Sequence, residues 1–145
     1  MSLHINIFNI VNKKRNIEVV ELSPKGKIFL INNKAAFIQL ERIVFPTLLN
    51  RSLLAKLPSI TVDMGTIPHL CNGADLMAPG IVQIKGVFDR ENIIVIIEER
   101  YSKEISVAKS LYTSVEVAEK KSGKIAKNLH FVGDSFWQVA KLLSM

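Results

Sequence analysis

Asp63, His69, Cys71 and His130 are the side chains of this sequence whose types and spacing invite a catalytic or metal-binding reading. His69 and Cys71 stand two residues apart, which on a helix sends them to different faces, so they cannot form a nucleophile–base dyad there. Asp63, in "VDMG", could pair with His69 as carboxylate and imidazole, but it reads better as a turn or capping residue, since Asp bonds backbone amides just ahead of it. His130, between Leu129 and Phe131 on an apparent strand, reads as a packed histidine. Three His and one Cys scattered along 145 residues do not supply the ligand set of a metal site. The stretch "GADLMAPG" has neither the Lys-Ser/Thr of a phosphate loop nor the glycine spacing of a dinucleotide turn. No catalytic residue, metal ligand or cofactor is therefore expected.

A different kind of chemistry is suggested by "CNGADLMAPGI" at 71–81. Gly73 reads first as the residue that ends a short helix, because such positions need φ > 0. Beside Ala74 it also leaves backbone that nothing covers, so a base or a sugar–phosphate could approach the amides closely. Pro79 and Gly80 bend the following strand next to the same loop. Together these residues describe a shallow notch of small residues with an apolar floor at Leu76 and Met77.

The elements that must position this notch follow from the pattern around it. "IEVVEL", "KIFLIN" and "AAFIQLE", separated by "SPKG" and "NNK", read as an antiparallel meander. "FPTLLNRSLLAKLP" at 45–58 reads as a helix with Pro46 in its first turn and an apolar stripe of Leu48, Leu49, Leu53, Leu54 and Leu57. Beyond it come a strand at "ITVDMG", a helical turn at "TIPHLCNG", and an edge strand or bulge at "DLMAPGIV". "NIIVIIEE" and "EISVAKSL" flank a polar loop and read as a hairpin. Thr113 three residues before Glu116 has capping-box spacing. "KIAKNLHFV" is a final strand and "DSFWQVAKLL" a terminal helical turn, with Phe136 and Trp137 closing a small barrel.

Composition narrows the class. The chain is 48% hydrophobic, so it can bury a core, and its length allows one domain or two small ones sharing an interface. Its longest aliphatic run, "IIVII" at 93–97, is far short of the roughly 20 residues that span a bilayer. The charges of the first segment follow its apolar part, the reverse of a secretory signal. With a single cysteine no internal disulfide can form, and a reducing, cytoplasmic setting is expected. Residues 1–60 hold nine Lys/Arg against three Asp/Glu, including the run Lys13, Lys14 and Arg15, whereas 61–145 hold ten of each. The whole net charge of +6 therefore sits in the first part, a distribution compatible with nucleic acid and also common in proteins that bind none.

"VDMGTIPHLCNGADLMAPGIV" at 62–82, followed by "KIAKNLHFVGDSFW" at 124–137, resembles the PUA domain, named for pseudouridine synthases and archaeosine transglycosylases. The upstream stretch, with Phe45, Pro46, Thr47 and Leu48, is similar to the pre-PUA domain of the T-cell-lymphoma-amplified oncoprotein group and of ligatin-type translation factors, in particular their archaeal stand-alone relatives. The resemblance implies an α+β N-terminal domain at 1–60 and a mainly β PUA pseudo-barrel of about six strands at 61–145. It also implies an RNA surface at Gly73, Ala74, Leu76, Met77, Pro79 and Gly80, with Lys124, Lys127 and Asn128 on the last strand and Lys109 beside it. Lys120 and Lys121 would reach phosphate from the neighbouring helix. Ala108 stands where a glycine is more usual. For any one of these lysines, a merely solvated face explains the residue as well as a phosphate contact does.

Two functions from different classes follow from that resemblance. One is a non-catalytic adaptor in translation or ribosome biology, recognising tRNA or rRNA and partnered by the small ribosomal subunit or another protein. The other is the detached RNA-recognition subunit of a transglycosylase or pseudouridine synthase. Neither membrane nor DNA is expected as a partner.

Overall fold

The computed structural model describes residues 4–11, 16–23 and 25–144. Pro24 of the "SPKG" turn and the basic run Lys13, Lys14 and Arg15 lie outside the described residues. Five strands come first: β1 (His4–Val11), β2 (Asn16–Ser23), β3 (Gly26–Ile31), β4 (Lys34–Leu40) and β5 (Ile43–Pro46). Each pairs antiparallel with the next, which is the expected meander extended by a strand at each end. Asn32 and Asn33 both take positive φ in the β3–β4 turn, the conformation that Asn tolerates best after Gly.

The expected helix at 45–58 does not form as such. Phe45 and Pro46 belong to β5, and only Arg51–Leu54 is helical (α1). The reason is where the backbone donors of 47–50 go. Thr47 N–H reaches the Ala36 carbonyl, Leu48 N–H reaches Nε2 of His130 at 3.1 Å, and Leu49 N–H reaches the Thr47 hydroxyl. Each donor so engaged holds the chain in a conformation other than a helix. Leu48 and Leu54 are nevertheless buried in the first core, as their spacing suggested.

The second sheet is built from β6 (Ser59–Val62), β7 (Leu76–Met77), β8 (Ile81–Lys85), β9 (Ile93–Glu98), β10 (Glu104–Ser110) and β11 (Lys124–Phe131). Its order is β7-β11-β10-β9-β6-β8, with β6 and β9 parallel and the other pairs antiparallel. The two edge strands, β7 and β8, are joined by a single 3₁₀ turn at Ala78–Gly80. Three residues cannot span a flat six-stranded sheet, so the sheet must curl until its edges meet. α2 (Ile67–Leu70) and α3 (Ser114–Glu119) plug the curl, and the Thr113/Glu116 capping box is present at α3 as its spacing predicts. Asp63 caps the 3₁₀ turn at Met64–Thr66, accepting from Thr66 N–H and from its hydroxyl.

Two clusters of buried side chains divide the interior. One fills the barrel with Ile60, Val62, Leu70, Leu76, Ile94, Ile96 and Ile125. The other lies between the first sheet and the outer face of the barrel, where Leu22, Ile28 and Ile38 meet Val95 and Val107. The aliphatic run at 93–97 is thereby explained: Ile94 and Ile96 point into the barrel, while Val95 points to the first sheet, so both faces of β9 are covered.

The final helix, α4 (Ser135–Leu143), is longer than the expected single turn and does not close the barrel. It crosses to the first sheet, where Phe136, Val139 and Ala140 are buried in the shared core. The expected α+β character of residues 1–60 is thus a β-meander whose own helix is one turn, its main helical cover being lent by residues 135–143. His130 ties the same junction. Fully buried, it accepts from Leu48 N–H through Nε2, so its Nδ1 carries the proton and donates to Asp134, which also caps α4.

Candidate nucleic-acid interface

α2 ends in the loop that carries the notch. Gly73 sits at φ +90°, with its N–H on the Leu70 carbonyl, while Ala74 N–H bonds the His69 carbonyl. This is the geometry of a helix-ending glycine. A Cβ at Gly73 would meet only the Phe131 ring at 3.6 Å, so conformation and not crowding selects glycine. Gly80 has the opposite reason: a Cβ there would run into the Thr66 side chain. Its smallness serves the close packing of the two 3₁₀ turns.

Around this loop lies an open groove of about 520 Å³ lined by Asp63, Gly65, Thr66, His69, Ala74, Asp75, Met77, Pro79 and Gly80. Ala74, Met77, Pro79 and Gly80 of the expected set meet here. Gly73, Leu76, Asn128 and the three lysines of the expected set do not line it. Leu76 is fully buried in the barrel core, because in a two-residue strand its neighbour Met77 takes the outward position. Asn128 is half-buried and commits its side-chain polar atoms to the protein. Its amide NH₂ donates to the carbonyls of Leu70 and Ala74, and its carbonyl accepts from the Ser106 hydroxyl. It is the clamp that fixes the loop to β11. The sequence reading missed Asp63, Gly65, Thr66, His69 and Asp75 as groove residues; their nearness to the notch in sequence was the available signal.

Two carboxylates, Asp63 and Asp75, line the groove, and the expected lysines lie beside it. Lys109 on β10 and Lys127 on β11 are directly opposite one another in the register, hence on one face. Like charges so placed destabilise a free sheet and favour a bound anion. Lys124 pairs with Asp75 at 3.0 Å, and Asp75 also accepts from the Asn128 N–H at 2.8 Å. Partial burial by itself would push the Asp75 carboxyl up, but the Asn128 amide and the charges of Lys124 and Lys127 hold it below the usual carboxylate range. Asp75 therefore stays ionised at neutral pH and pairs with Lys124. Ala108, beside Lys109, is fully buried in the barrel core and offers no backbone to a ligand.

The titratable side chains lining the groove are Asp63, His69 and Asp75, and Cys71 lies just outside it. Burial pushes the Cys71 thiol up, away from the thiolate form that a nucleophile needs. Among the described residues, no group of three or more His, Cys, Asp or Glu side chains is placed to hold a metal ion. Nor is any helix among them long and apolar enough to cross a membrane.

Comparison with known proteins agrees with this geometry. A family model described as "PUA domain" matches residues 58–132. An uncharacterized protein of Methanocaldococcus jannaschii is 36% identical, over 91% of this chain and 82% of its own length. Translation machinery-associated protein 20 of Eremothecium gossypii is 22% identical, over 90% of this chain and 76% of its own. Among solved structures, that of a hypothetical protein from Pyrococcus horikoshii superimposes with a TM-score of 0.77 at 31% identity, covering 90% of this chain and 82% of the other.

Proposed function

Because the chain belongs to the PUA domain family, we propose that it is a non-catalytic adaptor of translation or the ribosome that recognises structured RNA, tRNA or rRNA, in the cytoplasm. The observation that carries this reading is the pairing of an open apolar groove with the facing lysines Lys109 and Lys127 and the tethered Lys124. The groove suits a base or sugar edge and the lysines suit the phosphates beside it. Similarity to a translation machinery-associated protein supports the cellular setting. We take residues 1–60 and 61–145 as two units that work as one, joined by the core under α4. The RNA-facing set becomes Ala74, Met77, Pro79 and Gly80 with Lys109, Lys124 and Lys127; Gly73 and Asn128 shape it, and Leu76 is withdrawn from it.

The test combines binding and cosedimentation. Ala74→Leu fills the groove and lowers affinity for transcribed tRNA or small-subunit rRNA fragments about tenfold. Lys124→Ala with Lys127→Ala lowers affinity across sequences and reduces the salt slope by about one unit for each phosphate no longer neutralised. The protein sediments with small ribosomal subunits from cell extract, and the triple variant does not. Retained binding in that variant, together with loss on neutralising Lys13, Lys14 and Arg15, overturns the assignment and moves the RNA to the first unit.

A further inference from the structure

At the far end of β11 from the first unit, Tyr112 forms a flat surface that the groove reading does not use. Leu111 N–H bonds the Ile125 carbonyl, which sets Tyr112 beside Lys124, the lysine whose strand partner is the groove residue Met77. The backbone of Tyr112 is held on both sides: the buried Ser110 hydroxyl donates to its carbonyl at 2.6 Å, and Ser114 N–H bonds Phe88. One side of the ring rests against the barrel core. Over the ring lies Lys120, its Nζ 4.1 Å from the centroid, with the Arg90 guanidinium 6.0 Å away.

These two cations are held differently. Arg90 is anchored by two hydrogen bonds to Glu116, at 2.7 and 3.1 Å, and the guanidinium pulls the Glu116 carboxyl down to about 2, so the anchor remains charged. Lys120 has no carboxylate within 4.0 Å among the described residues; the ring is what it rests on. A half-buried ring with a fixed frame and a displaceable cationic cover, next to Lys121 and Lys124, is what a stacking site for an unpaired base requires.

Resting on the RNA-binding reading above, we propose that Tyr112 is a second contact point: an unpaired nucleobase stacks on its ring when Lys120 swings off to the neighbouring phosphate. The groove and the platform would then hold two points of one RNA, with Lys124 between them.

The chain has only two tyrosines, Tyr101 and Tyr112, and Tyr101 is exposed, so ring-labelled tyrosine gives one reporter and one internal control. The probes are an RNA stem-loop with a short single-stranded 3′ tail and the same stem-loop with a blunt end. With the tailed RNA, the Tyr112 ring resonances move upfield and those of Tyr101 stay. Tyr112→Leu loses about tenfold in affinity for the tailed RNA alone, at unchanged salt slope, and Tyr112→Phe keeps wild-type affinity. If Lys124 and Ala74 amides shift with the tailed RNA while the Tyr112 ring does not, RNA binds the groove and the platform is refuted. If no signal moves with either probe, the RNA-binding reading falls and the platform with it. Equal loss of both RNAs in a folded Tyr112→Leu variant, checked by circular dichroism, also refutes stacking.

Discussion

Replacing Asp75 by Asn should separate stability from RNA affinity and move them in opposite directions. The change keeps the side-chain shape and removes the charge. In the free protein Asp75 accepts from the Asn128 amide and pairs with Lys124, whose side chain is 54% exposed. A hydrogen bond to a carboxylate is worth about 1 kcal/mol more than one to a neutral amide. The half-exposed ion pair adds no more than about 0.5 kcal/mol once solvent screening is allowed for. Asp75→Asn should therefore cost about 1–1.5 kcal/mol, a fall of roughly 3–5 °C in Tm for a chain of this size. Binding should respond the other way, because Lys124 no longer has to leave a carboxylate to reach a phosphate. Affinity for RNA should rise about two- to threefold, the equivalent of that same ~0.5 kcal/mol. Thermal melts and fluorescence anisotropy on the same samples measure both quantities. Adding Lys124→Ala to Asp75→Asn should abolish the gain. Lower RNA affinity in a folded Asp75→Asn variant would show that the carboxylate supports binding, and the reasoning about Lys124 would be wrong. Acid gives an independent check. Since the folded carboxyl is held low, its contribution to stability is complete above the ordinary value of 3.8 and is lost as pH falls below it, a component that Asp75→Asn lacks.

Gly73→Ala should cost about 1 kcal/mol, read from denaturant melts, through the positive φ alone, and leave RNA affinity unchanged because its Cβ would point to Phe131 and not into the groove. His130→Ala should destabilise by about 4 kcal/mol in chemical denaturation, the sum of a cavity and of two broken bonds, to Leu48 and Asp134; a loss under about 1 kcal/mol would contradict the tie between Leu48 and the start of α4. For Glu116 the folded carboxyl is lowered from 4.5 to about 2, so its stabilising bond to Arg90 is complete above about pH 5 and fades as pH falls toward 2. Melts of Glu116→Gln against wild type across that window should converge at the acid end.

The features legible in the sequence were those decided within a few residues. The Thr113–Glu116 capping box, the helix-ending Gly73, the capping Asp63 and the β9–β10 hairpin all depend on contacts between near neighbours. The miss at 45–58 is instructive because its leucine spacing was helical and its leucines are indeed buried. What redirected the backbone was a carbonyl on β4 and an imidazole 82 residues away, and neither is visible from the segment itself. Leu76 and Asn128 are missing from the groove lining for a related reason. Whether a residue of a two-residue strand faces in or out, and whether an amide is already satisfied by residues 70, 74 and 106, depends on strand pairing. The facing of Lys109 and Lys127 is likewise a property of register. By contrast, the length of α4 was available: Asp134 followed by Phe136, Val139, Ala140 and Leu143 has a cap and helical spacing. So, in part, was β1, where "HINI" at 4–7 alternates polar and apolar before the pattern breaks at Phe8.

The reach of α4 back to the first sheet has a consequence for the order in which the molecule matures. Leu22, Ile28 and Ile38 lie in strands made early, yet part of the core that shields them comes from Phe136, Val139 and Ala140. About 100 residues separate the end of β5 from the end of α4, which at roughly 5–20 residues per second leaves that apolar face without its helix for about 5–20 s of synthesis. The earliest sheet is thus the last to be completed. During that interval the nascent chain presents a hydrophobic, strand-rich surface of the kind that chaperones hold and that aggregates recruit. Loss of the last dozen residues should accordingly be felt first at the beginning of the chain.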